Sequence, residues 1–223
     1  MQKAVIISSK ENKFETLKKE LEQRNIEAVI LERETVNSME LLAKKAEELG
    51  DIDYLIISSL CDAKFRKRSL HELSTEEYRE WKYYALVQFY EINATFVKKM
   101  VEKGGGVVTG IISEAGATPT RGECLNGAAG AALFMGIQCM AEESHEDGMY
   151  ANAVAIGVME ENDDFDPMIR DEEILKHIPS HKCLTKETVC KSIADVMMGT
   201  NAALTGNIVN IDSAFSCAYM REW

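Results

Sequence analysis

Proline occurs only three times in the chain, and no run of eighteen apolar residues is present. The first scarcity leaves helices free to run long; the second argues against a membrane-spanning helix. No two cysteines form a CxxC pair. The six thiols, Cys61, Cys124, Cys139, Cys183, Cys190 and Cys217, are scattered, and a domain of this size needs no disulfide framework. Reduced thiols in a cytoplasmic protein are therefore expected. The opening "MQKAVIISSKEN" lacks the apolar stretch and cleavage site of a signal peptide, which fits the same expectation. Basic charge is short too: 25 Lys and Arg face 37 Asp and Glu, for a formal net charge of −12. With no basic stripe to offset that balance, non-specific nucleic acid binding is excluded. The one basic cluster, Lys64, Arg66, Lys67 and Arg68, reads as a solvated loop.

What is present is regular alternation. Short β-branched runs at 3–9, 27–32, 53–59, 107–113, 150–157 and 207–212 read as strands. Between them lie amphipathic segments at 13–25, 38–50, 74–103, 126–143 and 185–198. Ser74 with Glu77 makes a capping box at the head of the third segment, Thr185 opens the last with another, and Gly50 closes the second. The strands are nearly continuous apolar runs, as expected for strands buried on both faces. Joined by helices, they predict one α/β domain over residues 1–223, a doubly wound parallel sheet with helices on both sides. Ligands in such a sheet sit outside the carboxyl ends of the strands, which singles out Ser8, Glu32, Ser58, Ser113 and Gly157.

The order of "STEEYREW", "MVEKGGGVVTGIISEAG", "AAGAAL", "MAEE", "NAVAIG" and "LTGNIVNID" resembles the short-chain dehydrogenase/reductase (SDR) family, from about residue 52 to residue 217. Upstream there is room for only one helix between residues 32 and 53, so one βα unit of the family pattern is shortened away. The resemblance implies a dinucleotide cofactor cradled by a glycine-rich turn after the first strand. In this chain Ser8, Asn12 and Phe14 stand at the three glycine positions, and the strand ending "ISSL" lacks the glycine of the family's next turn. No cofactor is therefore expected, and no metal.

The resemblance also implies a tyrosine base, a lysine that lowers its pKa, a serine and an asparagine. Ser113 occupies the serine position. Asn126 stands for the tyrosine, Gly130 for the lysine and Ala85 for the asparagine. The family's proline before Gly157 is Ile156, and Glu161 replaces the threonine four residues after it, inside the acidic run 160–166. "NGAAGAAL" is thus a catalytic helix without its catalytic side chains, its small residues ascribed to a subunit interface. Other sites read blandly. Cys124 has no histidine near it, Pro179 breaks the helix that a His177–His181 metal pair with Cys183 would need, and the acidic run lacks the glycine-punctuated spacing of a calcium loop.

The expectation is a non-catalytic subunit that keeps the fold and the oligomer surfaces. It would pair, as a homo- or hetero-oligomer through helices 74–103 and 127–143, with an intact paralogue of the family acting on acyl-CoA-type intermediates. The alternative is a cofactor-independent isomerase, dehydratase or lyase in which Ser113, Asn126, Cys124 or Glu161 handles a small substrate. A conventional NAD(P)-dependent oxidoreductase with unusual dinucleotide contacts ranks third.

Overall fold

The structure, a computed structural model, describes residues 1–8, 14–58, 69–120, 122–160 and 172–219. The six runs read as strands are β1 (Gln2–Ser8), β2 (Ile26–Glu32), β3 (Tyr54–Ser58), β4 (Gly106–Ser113), β5 (Met149–Ile156) and β6 (Ile208–Ile211). They form one parallel sheet in the order β2-β1-β3-β4-β5-β6. Apolar β1 lies between two partners, with Ile6 facing Ile30 on one side and Ile56 on the other. The missing βα unit is visible at the edge. A 3-10 turn, Arg33–Val36, leads from β2 straight into α2 (Met39–Leu49), and the chain then crosses to β3 on the far side of β1. The switch in strand order falls between β1 and β3, where a crevice opens in folds of this type.

Both faces of the sheet are covered, as the unbroken apolar strands require. On one face Val5, Ile7, Leu55 and Val108 pack with Leu42 of α2, with Phe89, Ile92 and Phe96 of α4 (Gln88–Glu102), and with Leu133 and Ile137 of α5 (Cys124–Glu143). On the other, Ala4, Ile6 and Ile56 meet Leu17 and Leu21 of α1 (Glu15–Gln23) and Val189, Ile193 and Met197 of α7 (Lys186–Gly199). By length and mean hydropathy α5 could cross a bilayer. Here its apolar side chains instead pack on the sheet.

The long segment 74–103 is not a uniform helix. It starts as α3 (Thr75–Lys82), passes through a π turn at Tyr83–Val87 and continues as α4. The Ser74–Glu77 capping box is present: the Glu77 amide donates to Ser74 Oγ and the Ser74 amide to Glu77 Oε2. At the head of α7, Thr185 Oγ1 accepts from the Thr188 amide. Two short helices, α6 (Glu172–His177) and α8 (Phe215–Tyr219), flank the carboxyl edge of β5 and β6. Their small apolar core is Val158, Ile178 and Phe215, with Leu175 and Cys183 against it.

Candidate functional site at the carboxyl edge of the sheet

Ser113 is the last residue of β4, and its side chain works locally. Its Oγ accepts from the Ala115 amide at 3.3 Å and caps the 3-10 turn Glu114–Gly116. A serine closing a strand commonly does this, because the free amide of the next turn lies within reach.

That turn lies directly on the opening of α5. A Cβ at Gly130 would stand 3.0 Å from Gly116 Cα, and one at Gly116 would stand 2.9 Å from Gly130 Cα. At Gly127 it would lie 2.6 Å from the Ala115 carbonyl oxygen. The bare front of α5 therefore serves a backbone-on-backbone contact inside this chain. That corrects its assignment to a subunit interface alone. At the lysine position a longer side chain would have to displace main chain, not another side chain. Asn126 is buried at the tyrosine position, and its Nδ2 donates to Glu123 Oε2 at 3.0 Å. Ala85 sits within the π turn and belongs to an apolar cluster with Trp81, Leu125 and Ala129. Asn126, Gly130 and Ala85 are thus buried, and Ser113 is half-buried beside them.

At the switch point Ser8 and Ser58 are buried, and Ser58 Oγ donates to the Ile7 carbonyl. Glu32 closes β2 in register with Ser8. Phe14 precedes α1 with φ of 72°, a left-handed backbone unusual for an aromatic residue. Its side chain is buried in the cluster that holds Leu17, Ile156, Met159 and Leu184. Phe14 thus packs into the core, and the loop before it, 9–13, lies outside the described residues. Asn12, Cys61, the basic cluster at 64–68, Glu161 and the rest of the acidic run after Glu160 lie outside the described residues.

The remaining sequence candidates do not converge. Cys124 is exposed at the first position of α5, whereas His145 stacks edge-on against Tyr150 at the amino end of β5. His181 Nδ1 lies 3.1 Å from the Leu175 carbonyl, and burial, with Glu160 nearby, pushes the Cys183 thiol up. Among the described residues, no three metal-ligating side chains gather.

One residue went unnoticed in the sequence. Glu114 follows Ser113, is only 3% exposed, and its Oε2 has no hydrogen-bond partner among the described residues. Burial, and then the charge of Asp212 after β6, push its carboxyl up to about 7. The oxygens of Asp212 are already held. Oδ1 accepts from the Ala214 amide, and Oδ2 accepts from the amide and hydroxyl of Ser216. Since Ser113 and Ile211 both pair with Ile156, the register places Glu114 and Asp212 on either side of Gly157. A Cβ there would lie 2.6 Å from Asp212 Cβ. The sequence signal was the acid itself, placed where a strand end must be buried. A protonated carboxyl at neutral pH can donate a hydrogen bond or pass a proton.

A family model described as short chain dehydrogenase matches residues 1–170. No curated protein sequence matches the chain. Among solved structures, it is similar to a 3-ketoacyl-(acyl-carrier-protein) reductase from Brucella melitensis complexed with NADH. The TM-score is 0.81 and the identity 13%, over 96% of this chain and 98% of that one. An acetoin dehydrogenase from Enterobacter cloacae gives 0.76 at 19% identity, over 98% and 97%. A gluconate 5-dehydrogenase from Burkholderia cenocepacia, in complex with NADP and tartrate, gives 0.77 at 15%, over 97% and 95%. At these identities the likeness is one of fold.

Two outcomes are expected from this geometry. Gly130→Ala should destabilise the protein by about 1–3 kcal/mol in urea unfolding, because the added Cβ meets main chain. A neutral result would mean that the turn does not rest on α5. The folded Glu114 carboxyl binds its proton more tightly than the unfolded one, so its contribution is full below the ordinary carboxylate range and is lost as pH rises through about 7. Wild-type stability should therefore fall by about 3 kcal/mol between pH 5 and pH 8 relative to Glu114→Gln. Parallel pH profiles would show that Glu114 is not held neutral.

Proposed function

Since the chain belongs to the short-chain dehydrogenase family, we propose that it is a non-catalytic member which supports an intact dehydrogenase of the same family as its partner. The observation that carries this reading is the docking of turn Glu114–Gly116 on Gly127 and Gly130, which leaves main chain where the family's lysine would stand. Asn126, engaged by Glu123, is no proton-transfer base near neutral pH, and Phe14 takes the place of a cofactor glycine. A chain with the family fold but without hydride-transfer groups acts through its surfaces.

The surface for this role is the face of α4 and α5 turned away from the sheet. An open groove of about 530 Å³ runs between them, lined by Tyr90, Val97, Met135, Cys139 and Met140 among others. Tyr90 is 51% and Met135 57% exposed, an apolar pair that a partner's helices would cover. Gly136 lies between them, where a Cβ would stand 3.1 Å from the Tyr90 hydroxyl, so the two helices approach closely. The likeness to a 3-ketoacyl reductase is consistent with a partner acting on acyl-type intermediates.

A second reading, cofactor-independent proton transfer on a small carbonyl substrate, is favoured by one observation, the Glu114 carboxyl beside Ser113. The third, an atypical NAD(P)-dependent oxidoreductase, draws only on the cofactors bound by fold neighbours.

Co-expression with intact short-chain dehydrogenases of the same genome should yield a stable heteromer, and Met135→Glu with Tyr90→Glu should weaken it at least about tenfold. Calorimetry with NAD⁺, NADH, NADP⁺ and NADPH should show no binding at about millimolar cofactor. Micromolar binding would return the chain to the working oxidoreductases. A chain that stays a homo-oligomer beside every such paralogue would remove the partner reading.

A further inference from the structure

The turn after β6 carries backbone strain. Ser213 and Ala214 are consecutive non-glycine residues with φ of 53° and 63°. Each left-handed residue with a Cβ is held against its preference, and such positions persist only where surrounding contacts over-determine them. Here the holding contacts come from Asp212. Its Oδ1 takes the Ala214 amide at 2.9 Å, its Oδ2 takes the Ser216 amide at 3.0 Å, and its carbonyl takes the Phe215 amide at 3.0 Å. Asn210 Nδ2 donates to Ser216 Oγ at 3.3 Å and closes the set. Phe215 then carries α8 onto Val158 and Ile178 at the end of β5.

Among the described residues one buried carboxyl oxygen lacks a partner, Glu114 Oε2, and the strand register sets Glu114 across Gly157 from this turn. We propose that Glu114 and Asp212 form a proton-operated latch: while the pair holds one proton the turn after β6 stays closed, and loss of that proton releases α8 from the carboxyl edge of β5. The proton leaves the Glu114 carboxyl for solvent, and no covalent bond forms or breaks. Two carboxylates then face one another across Gly157 with little water to screen them. Asp212 is the charged group that bears on Glu114 among the described residues. Gly157 after β5 and Gly127 and Gly130 on α5 carry no titratable side chain, and the buried Glu123 before α5 accepts from Asn126 Nδ2.

The pair can relax in only one direction. Turn Glu114–Gly116 is wedged against the backbone of α5. The turn at Ser213 and Ala214 is already strained, so release there relieves repulsion and backbone strain together. The event thus falls on the short C-terminal helix and leaves the sheet intact. The latch is independent of whether the chain pairs with a dehydrogenase.

Hydrogen exchange on the full chain, corrected for the intrinsic pH dependence of the rates, tests this between about pH 6 and pH 8.5. The Ala214 and Ser216 amides should lose protection about tenfold relative to Val108 in β4, and Glu114→Gln should abolish that loss. Ala214→Gly, which relieves strain in the closed turn, should move the release to higher pH. An unchanged ratio in the wild type would overturn the latch, and so would equal loss in β4, which would mean global unfolding. An unshifted release in Ala214→Gly overturns it as well, even if Glu114→Gln folds poorly.

Discussion

The carboxyl edge of this protein is organised by a main-chain contact, the seating of the Glu114–Gly116 turn on the first turns of α5. Backbones approach this closely only where a Cβ is missing at the contact, which accounts for Gly116 against Gly130 and for Gly127 beneath the Ala115 carbonyl. Once the turn is seated, main chain fills the space beside Gly127 and Gly130. Asn126 turns to Glu123, and the neighbouring wall closes with Trp81, Ala85, Leu125 and Ala129. The packing of the helix and the seating of the turn are one structural fact, because the same glycines let both backbones meet.

The same seating points Glu114 inward. A strand end carrying an acid ordinarily reaches water, but the turn draws this carboxyl under the sheet edge, where Gly157 lets Asp212 lean over β5 to meet it. Burial and a fixed neighbouring anion both favour the neutral acid, so the edge holds a proton near neutrality. A buried carboxyl of this kind is a source of pH sensitivity whether or not a substrate ever reaches it.

Away from this edge, the α4–α5 face keeps what the edge has lost. The long helix passes through a π turn at Tyr83–Val87, and Tyr90 and Met135 are exposed along a groove that also presents Lys98 and Glu143. Exposed apolar side chains of this size are costly for an isolated surface. That asymmetry, a closed interior site and an open outer face, underlies the reading of the chain as a supporting subunit.

The six strands, the long helices and their caps were legible in the sequence because they depend on local pattern: continuous β-branched runs, apolar residues at helical spacing, and Ser74 with Glu77. Family membership was legible for the same reason. The π turn was not, since it adds one residue to a turn without altering the apolar pattern around it. Nor was the role of Glu114, which reads in sequence as an ordinary acid after a strand. Its burial depends on Gly116 meeting Gly130, and its neighbour Asp212 lies 98 residues further along the chain. The sequence alone determined which elements form and which side chains are missing from them. Only the tertiary structure decided what fills the gap, because backbone contacts and a carboxyl pair across three strands arise when distant glycines allow distant segments to touch.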